Sequence, residues 1–392
     1  VNFENIFGSS GNDLFTNSTA ANIINGDLGS DTIVVAAGTN TLIDTYIGGA
    51  GVNDTLTNSS GTNLAFVHFI ATDLTDTMNG AGIEIINTGG FTILGTVGDN
   101  WFDFTGVALR GVVTSGVTVS SGDGNDVIIG TDTPGTASTG AGISFFSYDL
   151  GTGNDEFTGT GNIVDTIFGG DGDDNIDGGL GNDTLEGGAG ADILFGNDGN
   201  DVINIRAGDD EVLDTFLGGA GSDILDNRSG GDIVFTFYDS TDATGTLNGA
   251  GIEFLRLRGE MLRGTDQADN LNLASVSLQF VNVSAPAIAT GLGDDTVIGT
   301  GQTGTATTGA GISTFRYDLG DGNDSFTGTG NIQDVVFGGA GNDVILGAGG
   351  NDTFEGGAGG DFINGQDGTD LFNVQLGEQS ELDTYIGGTG SD

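Results

Sequence analysis

Residues 169–204 read as four consecutive nonapeptides, GGDGDDNID, GGLGNDTLE, GGAGADILF and GNDGNDVIN, and residues 338–373 as four more. Each step sets an aspartate behind a glycine-rich loop and two residues ahead of a large apolar side chain. In GGAGADILF, the glycines at 187, 188 and 190 permit positive φ and close backbone approach, which a tight loop with inward carbonyls needs. Asp192 supplies a hard anionic oxygen. Ile193, Leu194 and Phe195 form a short strand whose central side chain points inward if its neighbours point out.

Stacking such steps at ~4.8 Å lays strand on strand in parallel sheets and loop on loop at the edges. Aspartates and loop carbonyls of adjacent coils then converge. A cage of roughly six to eight oxygens is what Ca²⁺ requires, and no soft metal prefers it. Multiple Ca²⁺ ions are therefore the expected cofactor.

Charge supports that reading. Fifty-six acidic against 7 basic residues give a formal net charge of -49 in 392 residues. Such self-repulsion would favour disorder, yet 36% of residues are hydrophobic and 24 are Phe, so something must neutralise the aspartates. Nucleic acid and anionic membrane surfaces are excluded as partners. No apolar run approaches the ~18 residues of a membrane span, and no basic-then-apolar leader opens the sequence. Absence of Cys rules out disulfides and thiolate metal sites.

A longer period contains the short one. GAGISFFSYDLGTGND at 140 recurs as GAGISTFRYDLGDGND at 309, and 309 − 140 = 169; DTYIGGAG at 44 returns as DTFLGGAG at 214 and DTYIGGTG at 383. The chain holds 392/169, about 2.3 units, as expected of an excerpt that begins and ends inside a unit. We divide it into residues 1–56, the C-terminal part of a first unit, 57–225, a full unit, and 226–392, a second and nearly complete one. The first unit lacks one nonapeptide relative to the next, as expected if nine residues are one structural step. Residues 57–120 and 226–289 lack the motif but alternate in strand fashion, as in LAFVHFIATD and DIVFTFYDST. They are expected to form longer β coils of the same solenoid, a small inserted β domain being the alternative. No stretch has helical periodicity with caps.

The motif resembles the G-G-x-G-x-D-x-U-x signature of the RTX (repeats-in-toxin) family. The resemblance implies an all-β, right-handed parallel β-solenoid, the RTX β-roll, in which nine residues make half a coil and an ion sits between a loop and the loop two steps later. Carried over, Asp174 pairs with Asp192, Asp183 with Asp201, Asp343 with Asp361, and Asp352 with Asp370. The full set of expected ligands is Asp13, Asp31, Asp54, Asp126, Asp155, Asp174, Asp183, Asp192, Asp201, Asp223, Asp295, Asp324, Asp343, Asp352, Asp361 and Asp370. Asn22 stands where an aspartate would be in NSTAANIIN, so no strong site is expected there.

Catalytic constellations are not found in the sequence. An EF-hand suggested by Asp173, Asn175, Asp177 and Gly178 has Thr184 in place of its terminal Glu and no flanking helices. The one histidine, His68, has Phe237 as its equivalent 169 residues on, which reads as packing. Arg256, Arg258 and Arg263 have no Arg equivalents in the preceding unit and read as a solvated or inter-chain ion-pair face. The phrase GTDTPGTASTGAG raises a flat threonine ladder of the kind that binds ice.

These observations favour a non-enzymatic structural protein of the bacterial exterior, a surface layer, filament or adhesin stalk. Self is the expected partner, in a homopolymer or lattice, with a cell-surface polysaccharide as a further one and no direct membrane insertion. The resemblance implies type I secretion of an unfolded chain and calcium-dependent folding outside. Two alternatives stand beside it: a secretion and folding module of a secreted enzyme or toxin, and an ice- or glycan-binding adhesin module.

Overall fold

The computed structural model describes residues 5–18, 22–36, 44–51, 53–66, 68–70, 82–206, 214–235, 237–239, 250–374 and 382–392, with the side chains of 68–70 and 237–239 excepted. Among these residues the regular elements are all short β-strands, and none is a helix. The chain divides into two compact units, Val1–Gly199 and Asn200–Asp392.

In the first unit the nonapeptides behave as half-coils. Strands Val164–Asp171, Asn175–Asp177, Thr184–Ala189 and Ile193–Gly199 alternate between two sheets. Val164–Asp171 pairs in parallel with Thr184–Ala189, and Asn175–Asp177 with Ile193–Gly199. Each strand thus meets the strand two steps later, so two nonapeptides close one coil of a parallel β-solenoid. Side chains obey the period of two: Ile193 is exposed, Leu194 buried and Phe195 half-buried. Phe102, Ile128, Phe157, Ile176 and Leu194 therefore stack in one inward row, each at most 1% exposed. A second row, Ile93, Val119, Tyr148, Ile167 and Leu185, faces it from the other sheet.

The motif-poor stretch continues these sheets with larger coils. Ala108–Val112, Val119–Asp123 and Val127–Ile129 lie on three sheets, so a coil here carries three strands instead of two. The third sheet ends where Gly135–Ala137 pairs antiparallel with Gly142–Ile143. That hairpin is built from the threonine-rich phrase, so the expected flat threonine ladder does not form there. A turn at PGTASTGAG, with Gly140 at φ 86°, reverses the chain before a ladder can stack. His68 lies in strand His68–Ile70, in register with Trp101; residues 71–81 lie outside the described set.

The second unit repeats the plan. Leu271, Val297, Phe326, Ile345 and Ile363 form one inward row, and Leu262, Ile288, Tyr317, Val336 and Phe354 another. Gly304–Thr305 pairs antiparallel with Gly311–Ile312, 169 residues after its counterpart. Tyr148–Phe157 and Tyr317–Phe326 place tilted rings 4.7 Å apart at equivalent points of the two cores. Phe237, the equivalent of His68, is in strand Phe237–Asp239; residues 240–249 lie outside the described set.

Because each core is one row deep per sheet, a single truncation cannot be repacked from behind. Ile176→Ala is expected to cost about 2–4 kcal/mol, whereas Asn175→Ala on the exposed face of the same strand is expected to stay within about 0.5 kcal/mol. Denaturant unfolding of both variants in saturating calcium checks this.

Candidate metal centres

The aspartates of successive coils are joined by one repeated hydrogen bond. The backbone N–H of each donates to Oδ1 of the aspartate one coil later. In the first unit Asp126 donates to Asp155 (2.7 Å), Asp155 to Asp174 (2.8 Å) and Asp174 to Asp192 (2.9 Å). Another run goes from Asp13 to Asp31 (2.8 Å) and on to Asp54 (2.7 Å). In the second unit Asp201 donates to Asp223 (2.8 Å), and Asp295 leads through Asp324 and Asp343 to Asp361 at 2.8, 2.9 and 3.0 Å. Asp352 donates to Asp370 at 2.9 Å. The bond arises because an aspartate two residues before an inward apolar side chain is itself inward.

The other carboxylate oxygen points into the glycine loop. Oδ2 of Asp31, Asp54, Asp126, Asp155, Asp174, Asp223, Asp295, Asp324, Asp343, Asp352 and Asp370 is buried without a hydrogen-bond partner. A methyl group on Gly169 would overlap both Asp174 Oδ2 and the Gly187 carbonyl of the next coil; on Gly338 it would overlap Asp343 Oδ2 and the Gly356 carbonyl. The first glycine of the motif is thus required by space, while Gly170 and Gly172, at φ 117° and 135°, are required by conformation. Carboxylate and carbonyl oxygens converge on each bare glycine.

The RTX calcium-binding nonapeptide repeat family matches the chain at residues 7–42, 149–185, 177–212, 214–234, 318–354, 329–363 and 346–377. These are RTX calcium-binding repeats. No curated protein matches the chain.

The donor chemistry of these residues fits calcium. Among the described residues no three acidic or imidazole side chains converge, so an RTX centre here draws on paired carboxylates and the loop carbonyls, all hard oxygen donors. Burial and like charge also act on these acids. Burial first, then the like charges of Asp192 and Asp155, pushes Asp174 up to about 8; burial first, then Asp126, pushes Asp155 up to about 7. In the second unit burial and neighbouring acids push Asp324 to about 7 and Asp343 to about 6.

Of the expected RTX ligands, all are buried except Asp13, which is half-buried. Asp174 and Asp192, Asp343 and Asp361, and Asp352 and Asp370 are brought together; Asp183 and Asp201 belong to different units. Asn22 is buried and donates from both its backbone and its side chain to Asp44 Oδ1, at 2.9 and 3.0 Å.

Several members of the ladder were not expected, although one of them, Asp392, closes a full motif, GGTGSD at 387–392. Glu84 Oε2 accepts from Asp54 N–H (2.7 Å), and Glu253 Oε2 from Asp223 N–H (2.8 Å). Asp269 donates to Asp295 (2.8 Å), Asp361 to Asp383 (3.1 Å) and Asp370 to Asp392 (3.1 Å). The signal available was the acid two residues before an apolar one, as in Glu84 before Ile86 and Asp269 before Leu271. An outer row was also missed: Asn154 accepts from Asp173 N–H (3.0 Å), and Asp173 from Ala191 N–H (2.9 Å), which accounts for the recurrent polar residue ahead of the ligand.

The arginines gather largely on one acid. Three of them converge within the chain on Asp226, whose side chain is 0% exposed: Arg258 bidentately at 2.6 and 2.7 Å, Arg228 at 3.0 Å and Arg256 at 3.7 Å. Burial alone would raise the Asp226 carboxyl, but the Arg258 and Arg228 guanidinia outweigh it and hold it below its ordinary value. Arg263 pairs with Asp232. This is an intra-chain clasp on a buried carboxylate, with guanidinia that stay partly solvated at 29–45% exposed. It occupies positions where the first unit has Thr57, Ser59, Asn87 and Gly89.

Two outcomes follow. In chelator, acids whose folded-state pKa is raised retain protons that the unfolded chain has released. The stability they contribute is present at low pH and lost as pH rises through about 6 to 8. β-structure followed by circular dichroism should therefore grow as the calcium-free chain is acidified from about pH 8 to about pH 5, and saturating calcium should flatten that dependence. Arg258→Ala, which breaks the clasp, should cost about 2 kcal/mol in denaturant unfolding while equilibrium dialysis finds the calcium count unchanged.

Proposed function

We propose that this chain is a non-enzymatic structural protein of the bacterial exterior, a repeat segment of a surface layer, filament or adhesin stalk that folds and self-associates when calcium is bound. The observation that carries the reading is the 169-residue recurrence, in which sheets, hairpin and aspartate ladder return at the same places in both units. A chain that spends its length repeating one architecture is suited to extension and lattice contacts. Its chemistry agrees: 56 acids would oppose compaction in a calcium-poor cytosol, and calcium outside would convert metal binding into folding free energy. RTX repeats are typical of type I secretion substrates, which supports export of an unfolded chain. A cell-surface polysaccharide is a further partner in this reading.

The test is a titration of Ca²⁺ from chelator to about 10 mM, the range of weak extracellular sites, with Mg²⁺ as control, followed by circular dichroism and light scattering. A calcium-specific coil-to-β transition with growth in particle size is expected. Folding without growth would favour a monomeric secretion module, and full β-structure in chelator would overturn calcium-dependent folding.

A further inference from the structure

Asp165 and Asp334 are two further acids outside the nonapeptide. They are 1% and 0% exposed, and neither oxygen of either carboxylate has a hydrogen-bond partner. Other ladder acids receive a loop amide from the coil before. These two lie in register with Phe146 and Phe315, which belong to extended strands, so no loop amide is aimed at them. Both stand at the step where the three-strand coils have ended in the antiparallel hairpin and the two-strand coils begin.

Their loops depart from the motif. Gly159-Thr160-Gly161-Asn162-Ile163-Val164 precedes Asp165 and Gly328-Thr329-Gly330-Asn331-Ile332-Gln333 precedes Asp334, each one residue longer than the loop from Gly169 to Asp174. Thr160 and Thr329 occupy the second glycine position, and their hydroxyls donate to the Gly130 and Gly299 carbonyls at 2.6 and 2.7 Å. At Asp334 the cradle nevertheless survives. A methyl group on Gly328 would overlap the Gly347 carbonyl and stand 2.7 Å from Asp334 Oδ2; one on Gly159 would overlap the Gly178 carbonyl. A second carboxylate adjoins each: Asp165 N–H donates to Asp183 Oδ1 (2.7 Å) and Asp334 N–H to Asp352 Oδ1 (2.8 Å).

A neutral oxygen completes the setting. Tyr148 and Tyr317 are wholly buried and their hydroxyls accept from Thr131 and Thr300 N–H, at 3.3 and 3.1 Å. A methyl group on Gly130 would be 3.5 Å from both Tyr148 Oη and Asp165 Oδ2, so phenol and carboxylate face one small space. Among the described residues no guanidinium pairs with either acid, and an uncompensated buried carboxylate is strongly disfavoured.

We infer that Asp165 and Asp334 each hold a hard divalent cation of calcium's size at an off-motif site, together with the adjoining Asp183 or Asp352 carboxylate and the Gly178 or Gly347 carbonyl, with the buried tyrosine hydroxyl alongside. The inference rests on the calcium reading of the neighbouring loops and extends it to residues the repeat does not contain. Each site opens the run of two-strand coils in its unit.

The test is calcium counting by equilibrium dialysis on the full chain. Asp165→Asn with Asp334→Asn should lower the count by one ion per substituted aspartate, and should lower the unfolding midpoint in saturating calcium. An unchanged count would mean a protonated structural carboxyl and overturn the inference. Asp174→Asn with Asp343→Asn is run in parallel. If that pair loses ions and the off-motif pair does not, the inference fails while the calcium reading stands; if neither loses ions, both fail. Tyr148→Phe with Tyr317→Phe gives an independent readout in terbium-loaded protein: tyrosine-sensitised emission should fall by more than it does in Tyr46→Phe with Tyr385→Phe, and an equal or smaller fall would overturn the placement beside the phenols.

Discussion

The hydrogen bond from one aspartate's N–H to the carboxylate one coil later is the contact on which the remaining geometry depends. It fixes the register of adjacent coils and, in the same act, aims the second carboxylate oxygen into the glycine loop. It also stacks like charges. At a coil spacing of ~4.8 Å and an effective dielectric of about 20, neighbouring carboxylates repel by about 3 kcal/mol, as much as a hydrogen bond to a charged group contributes, about 1.5–3 kcal/mol. The ladder alone therefore roughly breaks even, and a cation among the oxygens decides whether the coils close. That balance explains why the chain carries so much acid and so little base: seven arginines could not neutralise the ladder, and metal can.

Coil size follows from where the glycine loops are. Two nonapeptide loops reverse the chain twice in 18 residues, which leaves room for two short strands, as between Asp174 and Asp192. Without the second loop the chain runs on to a third sheet before returning, and the aspartate steps lengthen to 26 and 29 residues, from Asn100 to Asp126 and from Asp126 to Asp155. The inward rows do not break at this change, because Ile128 and Phe157 keep the same register as Ile176 and Leu194. The apolar row is thus the constant of the solenoid and the metal loop its variable.

This division marks what could be read in the sequence. The strands around Ile176, Leu194, Ile345 and Ile363, and the acids before them, were legible because loop, ligand and apolar residue recur together every nine positions. Glu84, Asp165, Asp269 and Asp334 obey only the last part of that rule, an acid two places before an inward side chain, and without glycines the signal is drowned by ordinary alternation. The clasp on Asp226 could not be read at all: Arg258 is 32 residues away, and it reaches its partner from a corner held at φ 55°, where the first unit uses Gly89 at φ 65°. Phe280 likewise sits at φ 55° where the first unit has Gly111. The antiparallel hairpin was hidden for the opposite reason, since its threonines look like strand residues and only the turn at Gly140 and Gly309 shows that the chain doubles back.

Those two left-handed corners bear on how the fold is distributed in energy. A non-glycine residue held there costs of order 1 kcal/mol, so the second unit accepts strain at Arg258 and Phe280 to place a guanidinium on a carboxylate that no calcium loop serves. The bidentate pair joins the coil of Ile224–Asn227 to that of Phe254–Arg256, and Arg256 donates onward to Gln279 at 3.2 Å. Three successive coils are thereby linked without metal, from the nonapeptide at 218–226 into the stretch beyond it that lacks the motif. In a solenoid each coil is stabilised by its immediate neighbours, so a region lacking cation sites needs some other tie across its coils. The clasp supplies one from the arginines of a chain otherwise short of positive charge, and it does so where the metal ladder lengthens its stride.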